Sequence, residues 1–227
     1  MKAGVLFSGG KDSTYAAYLA RQGGDDLRCL ITLSPERSDS YMFHFPNIRL
    51  TALQAEAMHL PQVMFATKGV KEEELADLKR AIQVAVEEHS VEAVYTGALA
   101  SVYQKSRVEA ICAELKVGCV SPLWHIDPIA HLNNIVANGF EVMMTAVAAL
   151  GLDESWLGRV LDDVAVRDLV RLSAKFGFNP GLEGGEGETF VLNCPLFDRR
   201  IEVEESKTHW EGDAGYLEIL RARLVAK

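Results

Sequence analysis

The segment Ser8-Gly9-Gly10-Lys11-Asp12-Ser13-Thr14 sets two glycines, a lysine and three hydroxyl residues directly behind the apolar run Val5-Leu6-Phe7. A glycine-rich turn between a buried strand and a helix gathers bare backbone N–H groups at a helix N-terminus, a ready place for an anion. Lys11 adds a compact positive charge, and Ser8, Ser13 and Thr14 add hydroxyl donors. Phosphate is the expected guest. The loop is not a Walker A motif, because Asp12 stands where a hydroxyl residue should follow the lysine, and it is not GxGxxG either. Asp12 is a candidate for orienting a metal, directly or through water. Its alternative reading is a first-turn acid that only favours the helix dipole.

A second stretch, Glu183-Gly-Gly-Glu186-Gly-Glu188-Thr189-Phe190, packs three carboxylates around three glycines. Carboxylates that close repel, which raises the pKa of at least one unless a cation or solvent intervenes. They could bind magnesium, hold ammonium or deprotonate it to ammonia; from composition alone a solvated acidic loop fits as well. A third group follows the strand pattern Ala93–Thr96. Gly97 stands at that strand's C-terminal end, where open parallel sheets bind ligands, and is expected to contact nucleotide. Tyr103, Gln104 and Arg107 lie within about one helical turn, and Arg107 can clamp a phosphate or carboxylate or simply make a surface ion pair. Thr32, at the end of the second strand, is placed for a contact to adenosine, and His44 for substrate or for closing over the nucleotide.

The elements that must hold these residues alternate. Val5–Phe7 reads as a buried parallel strand and Ser13–Arg21 as a helix closed by Gly23-Gly24. Strands follow near Cys29–Leu33, Gln62–Ala66, Ala93–Thr96 and Gly118–Val120. Helices lie between them near Thr51–Leu60, from Lys71 with Leu75, Leu78, Ile82 and Ala85 on one face, and over Val102–Leu115. Repeated strand–helix units imply a parallel sheet with helices on both faces, a Rossmann-like α/β nucleotide-binding domain over residues 1–125. After Pro122 and Pro128 the pattern changes to a smaller α+β domain over residues 126–227. There His131–Asn138 and Asp163–Phe176 read as helices, Phe140–Val147 as a strand and Thr189–Val203 as extended; Tyr216–Val225 is ambiguous by period.

The 227-residue chain carries a net charge of −9, which disfavours a phosphate-backbone partner. Cys29, Cys112, Cys119 and Cys194 lie far apart with no CxxC pair, so they read as reduced, mostly buried thiols. No run of about 20 apolar residues is present, and the N-terminus does not resemble a signal peptide, so a cytoplasmic protein with no membrane partner is expected. The oligomeric state is left open, a homo-oligomer included.

Ser8-Gly9-Gly10-Lys11-Asp12-Ser13 resembles the SGGKDS signature of the N-type ATP pyrophosphatases, whose parallel sheet binds adenine nucleotide. Tyr95–Glu109, Ser121–Trp124 and Glu183–Phe190 further resemble segments of the diphthine–ammonia ligase family. That resemblance implies ATP and Mg²⁺ as cofactors, with the loop gripping the departing pyrophosphate, and Lys11, Asp12, Glu183, Glu186 and Glu188 in the chemistry. It implies an acceptor held by His44, Tyr103, Gln104, Arg107, Glu186 and Thr189, namely diphthine on the translocation elongation factor, and an acyl adenylate opened by ammonium. No glutaminase-type extension fits within two domains of this size. A related pyrophosphatase that adenylates a tRNA base or a small carboxylate is the alternative. Gly187 departs from the family pattern, which has an aromatic residue there.

Overall fold

The computed structural model describes residues 1–35, 47–67 and 73–227. They form two compact units, Met1–Ser8 with Asp12–Trp124, and Gly9–Lys11 with His125–Lys227. Three residues of the glycine loop thus cluster with the second unit, although sequence continuity alone would put them in the first.

The first unit is built on a parallel sheet of β1 (Lys2–Leu6), β2 (Asp26–Pro35), β3 (Gln62–Thr67), β4 (Ala93–Tyr95) and β5 (Gly118–Val120), in the order β3-β2-β1-β4-β5. The helices are α1 (Lys11–Gln22), α2 (Thr51–Ala57), α3 (Glu73–His89) and α4 (Val102–Glu114). The chain moves from β1 outward to β3, then crosses back to β4. Because such crossovers are right-handed, the reversal sends α1 and α2 to one face of the sheet and α3 and α4 to the other. The packing agrees: Ile82 and Ala85 of α3 and Val108 and Ile111 of α4 share one core with Ile31, Val63 and Val94 of the strands. The expected α/β sheet is therefore present, and the reversal falls between β1 and β4, where open sheets of this kind bind ligands. α1 starts at Lys11, two residues earlier than its composition suggests, since the glycine turn leads directly into it.

The second unit carries an antiparallel sheet of β6 (Glu141–Val147), β7 (Gly187–Asn193), β8 (Arg199–Glu211) and β9 (Ala214–Ala226), in the order β7-β6-β9-β8, with helices α5 (Pro128–Ala137) and α6 (Asp163–Phe176). The side chains of Asp127 and Asp162 cap α5 and α6 by accepting N–H groups of their first turns, and Gly177, at φ 81°, ends α6. The ambiguous stretch 216–225 is strand. Its Leu217 and Ile219 are buried while Tyr216 and Glu218 are half-buried, the period-2 alternation of a one-sided sheet. The expected extension over 189–203 is two strands parted by a turn, in which the Phe197 N–H donates to the Cys194 carbonyl. β9 pairs with β6 only through Ala146–Tyr216 and Val147–Gly215. Below that point residues 158–161 take over the edge of β6: Gly158 N–H donates to Met144 O and Leu161 N–H to Val142 O.

None of the four cysteines forms a disulfide, and all but Cys119 are buried. Among the described residues no helix is long and apolar enough to cross a membrane.

Candidate active site

The first unit holds the strand end and the helix that flank the glycine pair. At the end of β1 the Ser8 N–H donates to Ser13 Oγ at 3.3 Å, and the two hydroxyls lie 3.2 Å apart. This folds the strand end over the first turn of α1. Thr14 is fully buried and Ser13 nearly so. Gly97 has a mechanical role: a Cβ there would lie 2.7 Å from Ser13 N and 2.8 Å from the Asp12 carbonyl carbon. The β4–α4 loop can touch the start of α1 only because residue 97 has no side chain. Gly97→Ala must displace main chain, an overpacking cost of about 1–3 kcal/mol. The expected result is a lower Tm together with weaker ATP binding by calorimetry; an unchanged Kd would separate Gly97 from the glycine loop.

The second unit holds the other part of the loop and all three glutamates. Gly9 turns with φ 80°, a conformation natural to glycine. Its carbonyl accepts the Val191 N–H at 3.0 Å, and the Lys11 N–H donates to Thr189 Oγ1 at 3.1 Å. The glycine pair is thus sewn onto β7, and the Lys11 side chain is almost wholly buried, with 2% of its surface exposed. Thr189, expected to touch substrate, accepts the loop's own main chain at its hydroxyl.

Just before β7 the chain is tightly built. Asn179 Oδ1 accepts the Gly181 N–H at 2.8 Å, and the Leu182 N–H returns to the Asn179 carbonyl at 3.0 Å. Leu182 sits at φ 62°, which is costly for leucine and so fixed by its surroundings. The Glu186 carboxylate closes this loop, accepting the Asn179 N–H at 3.2 Å and the Gly184 N–H at 2.6 Å. Its carbonyl accepts the Ala148 N–H. Glu186, expected among the reacting carboxylates, holds the loop through these two main-chain bonds. Glu188 differs. It is half-buried, and burial pushes its carboxyl up to about 8. At Gly187 a Cβ would stand 2.8 Å from the Ala146 carbonyl, so the main chain of β6 fills the place where a larger residue would begin. Glu183 is half-buried at the start of the loop.

The remaining expectations divide. The Thr32 hydroxyl is fully buried, donates to the Phe7 carbonyl at 2.9 Å and accepts Gln62 Nε2 at 2.8 Å. The hydroxyl thus braces β1, β2 and β3, while the expected contact to adenosine could be made by hydroxyl or main chain. Tyr103 and Gln104 are exposed on the first turn of α4. The Arg107 guanidinium lies over the Tyr103 ring, 3.4 Å from its centroid. It lines a cleft of about 270 Å³ between α3 and α4 with Leu75, Lys79, Ile111 and Glu114. That position turns Arg107 toward α3. Asp12 lies in the first turn of α1; among the described residues no three His, Cys, Asp or Glu side chains gather as a metal cluster. His44 lies outside the described residues. Asn179, Gln62 and Val191 were not legible beforehand: each acts through a main-chain or brace contact that residue type alone does not announce.

A glycine loop that follows a parallel strand and opens a helix, beside the reversal point of the sheet, marks a nucleotide-binding α/β protein. The chain belongs to the diphthamide synthase family: residues 1–119 match the model of the diphthamide synthase N-terminal domain and residues 127–225 that of the C-terminal domain. It is 34% identical to the diphthine–ammonia ligase of Homo sapiens over 91% of this chain and 84% of that one. To the diphthine–ammonia ligase of Schizosaccharomyces pombe it is 35% identical over 96% of this chain, and it spans 39% of that protein's length. Among solved structures, a predicted subunit of tRNA methyltransferase from Methanocaldococcus jannaschii aligns with 86% of this chain and 98% of its own at a TM-score of 0.45 and 18% identity.

Proposed function

We propose that the chain is an ATP-dependent amide ligase that converts the side-chain carboxylate of diphthine to an amide with ammonium, releasing AMP and pyrophosphate. A carboxylate is a poor electrophile and its oxygen a poor leaving group. Attack of that oxygen on the α-phosphorus breaks the bond to the β-phosphate and forms an acyl adenylate. Ammonia then adds to the acyl carbon, and the bond to the AMP oxygen breaks. The reading is carried by one observation: Gly9 and Lys11 are hydrogen-bonded to the same strand whose second residue is Glu188. That stitching supports a phosphate-gripping loop and a proton acceptor that act together.

Lys11 and the loop N–H groups hold the charge that gathers on the departing pyrophosphate. Glu188 takes a proton from ammonium, and Glu186 keeps the loop in shape. A single carboxylate, Asp12, suits a Mg²⁺ that is carried mainly by phosphate oxygens and water, where it would neutralise phosphate charge. The acceptor protein is the translocation elongation factor. The test is to incubate the chain with ATP, Mg²⁺, ammonium and the diphthine-bearing factor. AMP and a loss of about one mass unit on the factor, as OH is exchanged for NH₂, are expected. AMP without the mass change identifies another acceptor, and no AMP with any carboxylate overturns the reading.

A further inference from the structure

Two of the four cysteines meet. Cys112 lies near the end of α4 and Cys119 in the middle of β5, an edge strand of the parallel sheet. After α4 the chain turns back through Lys116 at φ 58°, and the Val117 N–H donates to the Cys112 carbonyl at 3.0 Å, so β5 returns alongside its own helix. Cys119 packs against the core that Cys112 enters with Val108 and Ile111, and the Cys112 S–H donates to Cys119 Sγ. Cys112 is 1% exposed and Cys119 half-buried. Their hydrogen bond, with burial, holds the Cys112 thiol far above its ordinary range, and the same bond lowers that of Cys119. Lys105, Glu109 and Cys112 share one side of α4 by their spacing. Lys105 pairs with Glu109, and its ammonium stands 5.1 Å from the centroid of the Trp124 ring. The lysine charge also favours the Cys119 thiolate, against Glu109. Cys29 and Cys194 differ: both are almost wholly buried, and burial pushes each thiol up to about 12.

We propose that Cys112 and Cys119 are a modification site, a dithiol that a hydroperoxide closes to a disulfide and a dithiol reductant reopens, and that closure slows the enzyme. The bond itself stands without the function proposed above; its effect on turnover rests on that reading. A reachable sulfur inclined to the thiolate, touching a second thiol sheltered behind it, is the arrangement of a redox-responsive pair. The Cys119 thiolate attacks the terminal peroxide oxygen, the O–O bond breaks, and the alcohol or water leaves with a proton. Cys112 Sγ then attacks the oxidised Cys119 sulfur; the S–S bond forms, the S–O bond breaks, and the Cys112 proton departs with the oxygen as water. The two thiols supply both electrons that the peroxide takes. A hydrogen-bonded pair of sulfurs lies well outside the S–S bond length of about 2.0 Å, so closure draws α4 against β5 by roughly 1 Å or more. Close-packed side chains pass such a shift on. α4 carries Tyr103, Gln104 and Arg107 at its start, and β5 runs into Ser121, whose hydroxyl lies 3.0 Å from that of Thr96, the neighbour of Gly97. Both partners in the movement thus lead to residues of the candidate site.

Peptide mapping and turnover test this together. Reduced wild type is treated with hydrogen peroxide, alkylated and digested with trypsin, which cuts after Lys116, between the two cysteines. Val108–Lys116 is expected to be joined to the peptide that opens at Val117, the link parting with dithiothreitol, while Cys29 and Cys194 remain thiols. Cys119→Ser and Cys112→Ala should each abolish the link. All cysteines still alkylated after peroxide, or Cys119 oxidised with no link to Cys112, overturns the pair. In the amidation assay, oxidised wild type is expected to show kcat/KM for the diphthine-bearing acceptor about tenfold lower, within the 10²-fold that a misplacement of about 1 Å can cost. Dithiothreitol should restore it, and peroxide-treated Cys119→Ser should keep the rate of reduced wild type. A linked pair with unchanged turnover, or an equal loss in Cys119→Ser, overturns the switch. Should reduced wild type form no AMP with any carboxylate while the linked peptides appear, the amidation reading falls and the disulfide pair stands. Normal amidation without linked peptides upholds the amidation and removes the pair.

Discussion

Lys11→Ala is expected to slow AMP formation about 10²–10³-fold, the range found when one preorganised donor to a developing anion is removed. The lysine opens α1, and only 2% of its surface is exposed, so its charge acts where water screens little. Its main chain is separately fixed to Thr189, and loss of the side chain leaves that anchor in place. Lys11→Met retains most of the aliphatic stem and separates packing from charge. Both variants should fail in single-turnover release of pyrophosphate, while Met alone should keep the wild-type Tm. Near-normal turnover by either would remove Lys11 from the reaction.

Glu188→Gln should lower ammonium-dependent amidation by about 10²–10⁴-fold, the usual worth of a positioned proton acceptor, yet spare hydroxamate formation from hydroxylamine, which is already unprotonated near neutral pH. Equal loss with both nucleophiles would make Glu188 something other than the acceptor of ammonium's proton. The pH dependence has a definite sign. Burial raises this carboxyl to about 8, and only the ionised form accepts a proton, so the wild-type rate with ammonium should climb as pH rises through about 8. Free ammonia also increases with pH. The hydroxylamine reaction, which needs no such deprotonation, provides the baseline to subtract. Stability runs the other way. An unfolded chain ionises this group near its ordinary 4.5, so its contribution is complete below that value and is lost as pH rises toward about 8. Thermal melts of Glu188→Gln should therefore lose part of the decline that wild type shows across this window.

The parallel sheet of the first unit was foreseeable because each strand there is a short apolar run bounded by turn residues, and each helix shows its period. The glycine loop was legible for the same reason: glycines, lysine and hydroxyls at a strand–helix corner have few other uses. What escaped was of another kind. Glu186 and Glu188 are the same residue two positions apart, and composition gave both the same possible roles. Main-chain N–H groups of Asn179 and Gly184 hold the Glu186 carboxylate, whereas burial raises the half-buried Glu188 carboxyl. Thr32 and Thr189 carry hydroxyls that suited a ligand, but carbonyl, amide and main-chain partners take them up. β9 was ambiguous because Leu217, Ile219, Leu220 and Leu224 satisfy a helical period as well as an alternating one.

Gly9–Lys11 is counted with His125–Lys227 although it stands at the beginning of the chain. Recombination between relatives is thereby constrained. A chimaera joined after residue 124 would keep its seam intact yet seat one lineage's nucleotide loop on another lineage's strand, so incompatibility would surface more than a hundred residues from the splice. Exchange of functional modules in this lineage must carry the loop and the strand's Thr189 and Val191 together.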